Sequence, residues 1–260
     1  MDKYGLKMLL RSIRSSLGRY LALLAIVALG VGFFAGLKSS QPAMQSTVDE
    51  YMRDNRMFDF QLMSSLGLTE SDRAAFAQLD GVKYAEGAYG VDAMAAVGKT
   101  EEPYRFMSVT ENVSVPLLVA GRMPETDGEC LADAGAFSEK DIGKTVQLSE
   151  DNDADTLDMF TSRSYKIVGI AKSPRYISND RGSTSLGSGS LKGFIILPAA
   201  AFNSEVYHEI LLYCNFDGAL FSSEYDTARD KLKPRIQQLL NRCGARRYDC
   251  LLYTSDAADD

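Results

Sequence analysis

The sequence has no tryptophan and a single histidine among its 260 residues. A Ser-His-Asp triad would have to use that histidine, His208, which lies in the alternating apolar stretch VYHEILLYC and is predicted to be a structural strand residue. The chain also contains neither a GxSxG nucleophile elbow nor a GxxxxGK[ST] phosphate-binding loop. We therefore predict no catalytic residue and no nucleotide cofactor, and we do not expect the chain to be an enzyme.

Cysteine is equally scarce, and its spacing carries no metal-binding pattern. The four cysteines include no CxxC pair and are too sparse for a disulfide scaffold, so each is predicted to be a small buried residue. Together with one histidine they supply too few ligands for a zinc site. The acidic run EDNDAD lacks the central glycine and closing glutamate of a calcium-binding loop. No metal site and no cofactor are predicted. The cysteines are Cys130, Cys214, Cys243 and Cys250.

The charge of the chain is divided unevenly along its length. The formal net charge is −7, but residues 1–19 hold five basic residues against one acidic residue, so this segment carries +4 and the remainder −11. An acidic body argues against nucleic acid as a partner, because phosphate contacts require a basic face. A basic segment before an apolar one indicates a protein whose N-terminus stays in the cytoplasm while the remainder lies outside.

The apolar run YLALLAIVALGVGFFAGL, residues 20–37, has 18 residues without a charge. As a helix it would reach about 27 Å, close to the hydrocarbon thickness of a bilayer. A secretion signal would have a shorter apolar region and a small-x-small cleavage site, which KSSQPAMQS does not offer. We predict an uncleaved transmembrane helix over 20–37. Residues 1–19 are predicted to form a basic amphipathic segment on the cytoplasmic membrane face, in contact with lipid.

Two glycines in this run, Gly32 and Gly36, have the GxxxG spacing of close helix–helix contacts in membranes. Their presence is compatible both with a contact to another membrane helix and with incidental glycine in an apolar helix.

Residues 38–249 are predicted to form an extracytoplasmic α+β domain, which could consist of two subdomains. The slightly negative mean hydropathy argues against several membrane spans. Alternating apolar patterns predict strands, among them 58–64 and 163–172, and Thr69 with Asp72 predicts a capped helix start. A second helix is predicted to begin near Ser223, with a kink or restart at Pro234. Segments 149–156 and 178–190 are predicted to be loops, and ARRYD, residues 245–249, to begin a strand.

The last segment, CLLYTSDAADD at residues 250–260, resembles the translation of an adapter used in sequencing-library preparation. We therefore exclude it from the predicted fold and expect the chain to be a fragment of a longer protein.

Ordered short motifs in the body resemble those of the extracytoplasmic core domain of FtsX-like and MacB-like ABC transporter permeases. A GR.P turn, a strand beginning GE, an IG..V.L strand and a VVGI-type strand follow one another in LLVAGRMPETDGECLADAGAF, DIGKTVQL and SYKIVGIAKSPRYIS. The N-terminal segment RSIRSSLGRYLALLAIVALGVGFFAGLKSSQPAM is similar to the first transmembrane helix of large permeases of this family from Gram-positive bacteria. The matching positions are Gly121, Arg122, Pro124, Gly128, Glu129, Ile142, Gly143, Val146, Leu148, Ile167, Val168, Gly169 and Ile170.

The resemblance implies structural roles at four of these positions. Gly121 and Gly169 suit a turn or close packing, and Pro124 fixes a turn. Arg122 is expected to hold this turn through hydrogen bonds to carbonyl groups.

The resemblance also implies a place in the bacterial plasma membrane and a set of partners. These are a separate ABC ATPase subunit and either further transmembrane helices of the permease or a second permease copy. The implied function is to couple ATP hydrolysis in the cytoplasm to movement outside it. Family substrates include lipoproteins, peptides and partner cell-wall hydrolases. A single-pass membrane-anchored sensor or binding domain is the competing hypothesis, and the missing motifs disfavour an anchored hydrolase.

Overall fold

The computed structural model describes Met8 and residues 16–256, with side chains described as far as Cys250. Most of the amphipathic segment predicted over 1–19 therefore lies outside the described residues, and residues 257–260 of the predicted tail lie wholly outside them. The chain divides into two compact units, Met1–Glu50 and Tyr51–Asp260.

From Leu17 onward the first unit is part of one long helix, α1, which runs from Leu17 to Asp54 over 38 residues. Among the described residues it is the one helix that is long and apolar enough to cross a membrane, and none of its most apolar window is buried. The helix continues beyond the predicted span, where the hydroxyls of Ser39 and Ser40 both donate to the carbonyl of Gly36. Pro42 lies inside the helix without ending it. Residues 20–37 are thus helical as predicted, and the helix extends beyond these bounds at both ends.

Over its described residues, 51–256, the second unit contains ten strands, three further α-helices and two short 3-10 turns. Their order confirms the predicted α+β class. The elements are β1 (Phe60–Leu68), α2 (Glu70–Ala77), β2 (Val82–Ala88), β3 (Gly90–Val97), β4 (Thr100–Ser108), β5 (Leu117–Gly121), β6 (Glu129–Asp133), a 3-10 turn (Glu139–Asp141), β7 (Thr145–Leu148), α3 (Ala154–Asp158), β8 (Ser164–Lys172), β9 (Gly193–Leu197), a 3-10 turn (Ala199–Ala201), β10 (Tyr207–Cys214) and α4 (Ser223–Asp256).

A three-stranded antiparallel sheet has the order β1-β10-β2. Alternation along β10 directs Ile210, Leu212 and Cys214 into one apolar cluster and Leu211 and Tyr213 into another. The first cluster also contains side chains of α2 and α4, so these two helices cover that face of the sheet. Their contributions are Phe76 from α2 and Leu232, Ile236 and Cys243 from α4.

The other seven strands have the order β5-β8-β6-β9-β4-β3-β7, and β7 pairs with β8 as well as with β3. This second pairing closes six strands into a barrel, and β5 lies beside β8 as an additional strand. Most neighbours are antiparallel, whereas β4–β9 and β6–β8 are parallel. The barrel interior is filled with side chains rather than open, as expected for a barrel of this size. Aromatic contacts join Phe106, Phe160 and Phe202 within it.

The predicted capping box at the start of α2 is confirmed, because Thr69 and Asp72 each accept the other's backbone N–H. Two other expectations are wrong. The predicted loop at 149–156 includes the beginning of α3, which Asp153 caps by accepting from the N–H of Thr156 at 2.6 Å. The predicted strand at 245–249 lies inside α4, since Cys243 packs into the sheet cluster and Arg246 pairs with Asp72, which extends the buried face of the helix.

Candidate functional site

A cleft opens in the second unit where the last turn of α1, the end of β10 and the start of α4 come together. Its volume is about 220 Å³. Its lining is mainly apolar, with two methionines and several aromatic rings around one half-buried carboxylate, which is the composition typical of ligand pockets. The lining residues are Met52, Arg53, Met57, Phe58, Asp59, Tyr213, Cys214, Asn215, Phe216, Leu220 and Tyr225.

Asp59 is the polar centre of the cleft. One carboxylate oxygen accepts the hydroxyl hydrogen of Tyr225 at 2.5 Å, and the other accepts the backbone N–H of Cys214 at 2.6 Å. Burial raises the pKa of Asp59, while the bonds from Tyr225 and Cys214 and the charge of Arg53 oppose that shift. Asp59 thus connects the start of β1 to the end of β10 and to α4.

A second polar group of the cleft, Arg53, holds one of its walls. Arg53 donates to the carbonyl of Gly218, which holds the loop before α4 against the end of α1. Burial raises the pKa of the Cys214 thiol and of the Tyr225 hydroxyl, so neither group ionises near neutral pH. The arrangement can accommodate an apolar group beside a hydrogen-bonded carboxylate, and it contains no activated nucleophile.

No residue of this cleft was predicted as a site residue from the sequence. Its lining comes from segments more than 150 positions apart, and no local motif marks them. The only sequence signal is the acid of FDF, where Asp59 interrupts an apolar stretch. Within residues 16–256, no cluster of three or more His, Cys, Asp or Glu side chains could hold a metal ion.

The residues that carry the family resemblance meet at another place, between β5 and β8. Gly121 has φ +80°, and a Cβ there would lie 2.3 Å from the carbonyl oxygen of Val168. A Cβ on Gly169 would lie 2.5 Å from the carbonyl oxygen of Arg122. The backbones of β5 and β8 approach each other so closely here that both the glycine of the GR.P turn and the glycine of the VVGI strand are required.

Arg122 holds the turn that follows this contact. It donates to the carbonyl of Met123 at 2.9 Å, as the sequence predicted, but its main partner is the carboxylate of Glu129. Glu129 also accepts the N–H of Glu125. The bond from Arg122, followed by that from Glu125, lowers the pKa of Glu129 to about 2. The GR.P and GE motifs are thus joined by one ion pair, and their role is structural.

The lone histidine lies in β10, as predicted, and not in the cleft. His208 is half-buried, and its Nδ1 is 3.1 Å from both the N–H and the carbonyl oxygen of Gly90. Burial lowers its pKa, and its ring contacts Tyr89 edge-on. It links the three-stranded sheet to β3 of the barrel.

No protein-family model and no curated protein matches the chain. Among solved structures, the chain is similar to the extracellular domain of the noncanonic ABC-type transporter YknZ from Gram-positive bacteria. The identity is 15%, the match covers 69% of this chain and 85% of that one, and the TM-score is 0.40. It is also similar to the periplasmic region of MacB from Actinobacillus actinomycetemcomitans, with 14% identity, 69% and 76% coverage and a TM-score of 0.40. Both proteins are of the kind that the ordered motifs resemble.

Proposed function

We propose that the chain is part of the permease subunit of an FtsX/MacB-type ABC transporter. In this role it couples ATP hydrolysis by a separate ATPase to a conformational change outside the cytoplasm. One observation carries the proposal. The GR.P and GE motifs, residues 121–129, are separated in the sequence from the VVGI-type strand, residues 167–170, yet all three form one joint through Gly121, Gly169 and the Arg122–Glu129 pair. This joint follows an unburied apolar helix in a chain with a basic N-terminal segment.

In this proposal α1 anchors the chain in the bacterial plasma membrane, with the N-terminus in the cytoplasm and the second unit outside. The charge distribution supports that orientation, because basic segments remain on the cytoplasmic side. The partners are an ABC ATPase and other transmembrane helices, either of the same permease or of a second copy. The predicted domain limits stay part of the proposal: 1–19 cytoplasmic, 20–37 in the membrane, 38–249 outside, and 250–260 adapter-derived.

Orientation is tested with epitope tags at residue 2 and residue 217 in intact cells. The tag at 217 should react with a membrane-impermeant reagent, and the tag at 2 should react only after the cells are permeabilised. The reverse pattern would refute the orientation and, with it, the coupling role.

The partner is tested by co-expressing the full chain with an ABC ATPase encoded beside it and purifying the complex through a tag on the chain. The ATPase should be retained, and a chain lacking residues 1–19 should retain less. The purified chain alone should show no heat of ATP binding with magnesium. A specific micromolar binding heat would instead indicate an autonomous nucleotide-binding protein.

A membrane-anchored sensor or binding domain is the second candidate, and the cleft around Asp59 is the observation that favours it. An apolar probe whose fluorescence rises on binding should then compete with a natural ligand in that cleft. Replacement of Phe216, which lies in the lining, by alanine should weaken the binding of the probe.

A further inference from the structure

Two non-glycine residues within 16–256 have a left-handed backbone, and they are hydrogen-bonded to each other. Arg56 has φ 47° and Ser114 has φ 53°. The N–H of Ser114 donates to the carbonyl of Arg56 at 2.7 Å. Such conformations cost free energy at residues other than glycine, so a pair of them in direct contact points to a role for that contact.

Ser114 contacts three consecutive residues of the segment that joins α1 to β1, residues 55–59, called here the junction. Besides its bond to Arg56, its hydroxyl accepts the N–H of Phe58 at 3.1 Å and lies 3.7 Å from the sulfur of Met57. Met57 and Phe58 both line the cleft. Ser114 is itself buried, with 2% of its surface exposed. Its position therefore determines where one wall of the cleft lies.

The loop that carries Ser114, residues 109–116 between β4 and β5, is held by a carboxylate of the three-stranded sheet. Glu86 in β2 accepts three consecutive backbone N–H groups of this loop at 2.6–2.9 Å, those of Glu111, Asn112 and Val113. Hydrogen bonds to an ionised carboxylate are stronger than those between neutral groups. Val113 is fully buried in a cluster with Phe58 and Leu211. The loop is thus bound to the sheet through both polar and apolar contacts.

The same loop begins on the barrel, because the N–H of Val109 donates to the carbonyl of Leu197 in β9 at 2.8 Å. The hydroxyl of Thr110 then donates to the carbonyl of Ser114 at 3.2 Å and closes the loop on itself. One loop therefore joins the barrel, the three-stranded sheet and the junction that follows α1.

We propose that Ser114, held in place by Glu86, is the positioning residue that fixes the junction to the body, so that a displacement of the end of α1 is passed to the barrel through the 109–116 loop. As a route for movement this inference rests on the proposed function. The contact between Ser114 and the junction does not depend on the proposed function. It requires only that the junction and the 109–116 loop open and close together.

Hydrogen–deuterium exchange on the full chain in lipid nanodiscs tests the inference. The Glu86→Gln variant removes the charge that holds the loop, and Glu111→Gln is the matched control, since Glu111 is an exposed glutamate of the same loop. In Glu86→Gln, the amides of 111–113 should exchange about tenfold faster, the effect of losing a hydrogen bond of ordinary net strength. The junction amide of Phe58 and those of 51–54 should accelerate with them. The control should leave both segments unchanged.

A second variant guards against general destabilisation. Ser114→Gly keeps the left-handed backbone and removes the hydroxyl together with its Cβ, so the amide of Phe58 should exchange faster while the amides of β9 do not. Ser114→Asn should restore protection, because asparagine accepts a left-handed backbone and supplies a side-chain acceptor. If the loop accelerates in Glu86→Gln while residues 51–58 keep their protection, or if Ser114→Gly leaves the Phe58 amide unchanged, the inference is overturned. Neither result would affect the orientation or ATPase experiments, so the two proposals fail separately.

Discussion

Removing the arginine of the most buried ion pair should be among the most costly single substitutions in this chain. Arg181 makes two bonds to the carboxylate of Asp133, at 2.6 and 2.9 Å, and their side chains are only 9% and 1% exposed. The guanidinium also lies over the rings of Tyr176 and Phe194. The contact holds the 178–190 segment, otherwise rich in glycine and serine, against the outside of the barrel.

The Arg181→Met substitution keeps an apolar stem over the two rings but leaves Asp133 buried without its counter-charge. We expect the free energy of unfolding to fall by about 3–5 kcal/mol, the usual cost of breaking a buried pair from one side. The double variant Asp133→Asn/Arg181→Met should recover most of this loss, because the remaining amide oxygen can still accept the N–H of Gly135. The extent of recovery in the double variant separates the cost of the unpaired buried charge from the cost of lost packing.

The assay is urea unfolding of the full chain in detergent micelles, followed by far-UV circular dichroism because the sequence has no tryptophan. The matched surface variant is Arg229→Met, whose pair with Asp226 is 40% and 55% exposed and should contribute less than about 1 kcal/mol. The slope of the transition should not change between variants. If Arg181→Met costs no more than Arg229→Met, the reasoning from burial is refuted.

Three further outcomes follow from the structure. Gly121→Ala should lower the free energy of unfolding by about 2–4 kcal/mol, because the added Cβ would meet backbone atoms. Gly98→Ala is the control: it has φ +74° but open space around it, and it should cost only about 1 kcal/mol. Equal costs in thermal unfolding would contradict the close contact at Gly121. The stabilisation from the Arg122–Glu129 pair should be present above pH ~4.5 and lost as the pH falls toward 2, because the pKa of Glu129 is lowered in the folded state. The Glu129→Gln variant should not show this acid-dependent loss of stability. Identical acid-unfolding profiles of the two proteins would exclude a contribution from the pair. Deleting residues 250–260 should change the free energy of unfolding by less than about 0.5 kcal/mol, and a larger loss would mean that this segment packs on the body.

Several elements could be predicted from the sequence because their causes lie within a few residues. The uncharged run at 20–37 is helical, the Thr69–Asp72 capping box forms across three residues, and the alternation in β10 directs its side chains to two faces. These patterns depend on helix and strand periodicity alone. The C-terminal helix was predicted to end too early, because the prediction used local patterns alone. The contact between Arg246 and Asp72 that extends it joins residues 174 positions apart, and no local pattern reports it.

Long-range pairing decided the remainder. Strand β8 was predicted from its alternation, but its pairing with β5, β6 and β7 was not. Each of these three strands has only a short local pattern, and the register between them and β8 closes the barrel. The cleft around Asp59 and the contact between Ser114 and the junction likewise join distant segments. Ser114 has a left-handed backbone that distant contacts stabilise: the carbonyl of Arg56 accepts its N–H, and Glu86 binds the three residues that precede it. Its conformation therefore could not be predicted from the neighbouring residues in the sequence.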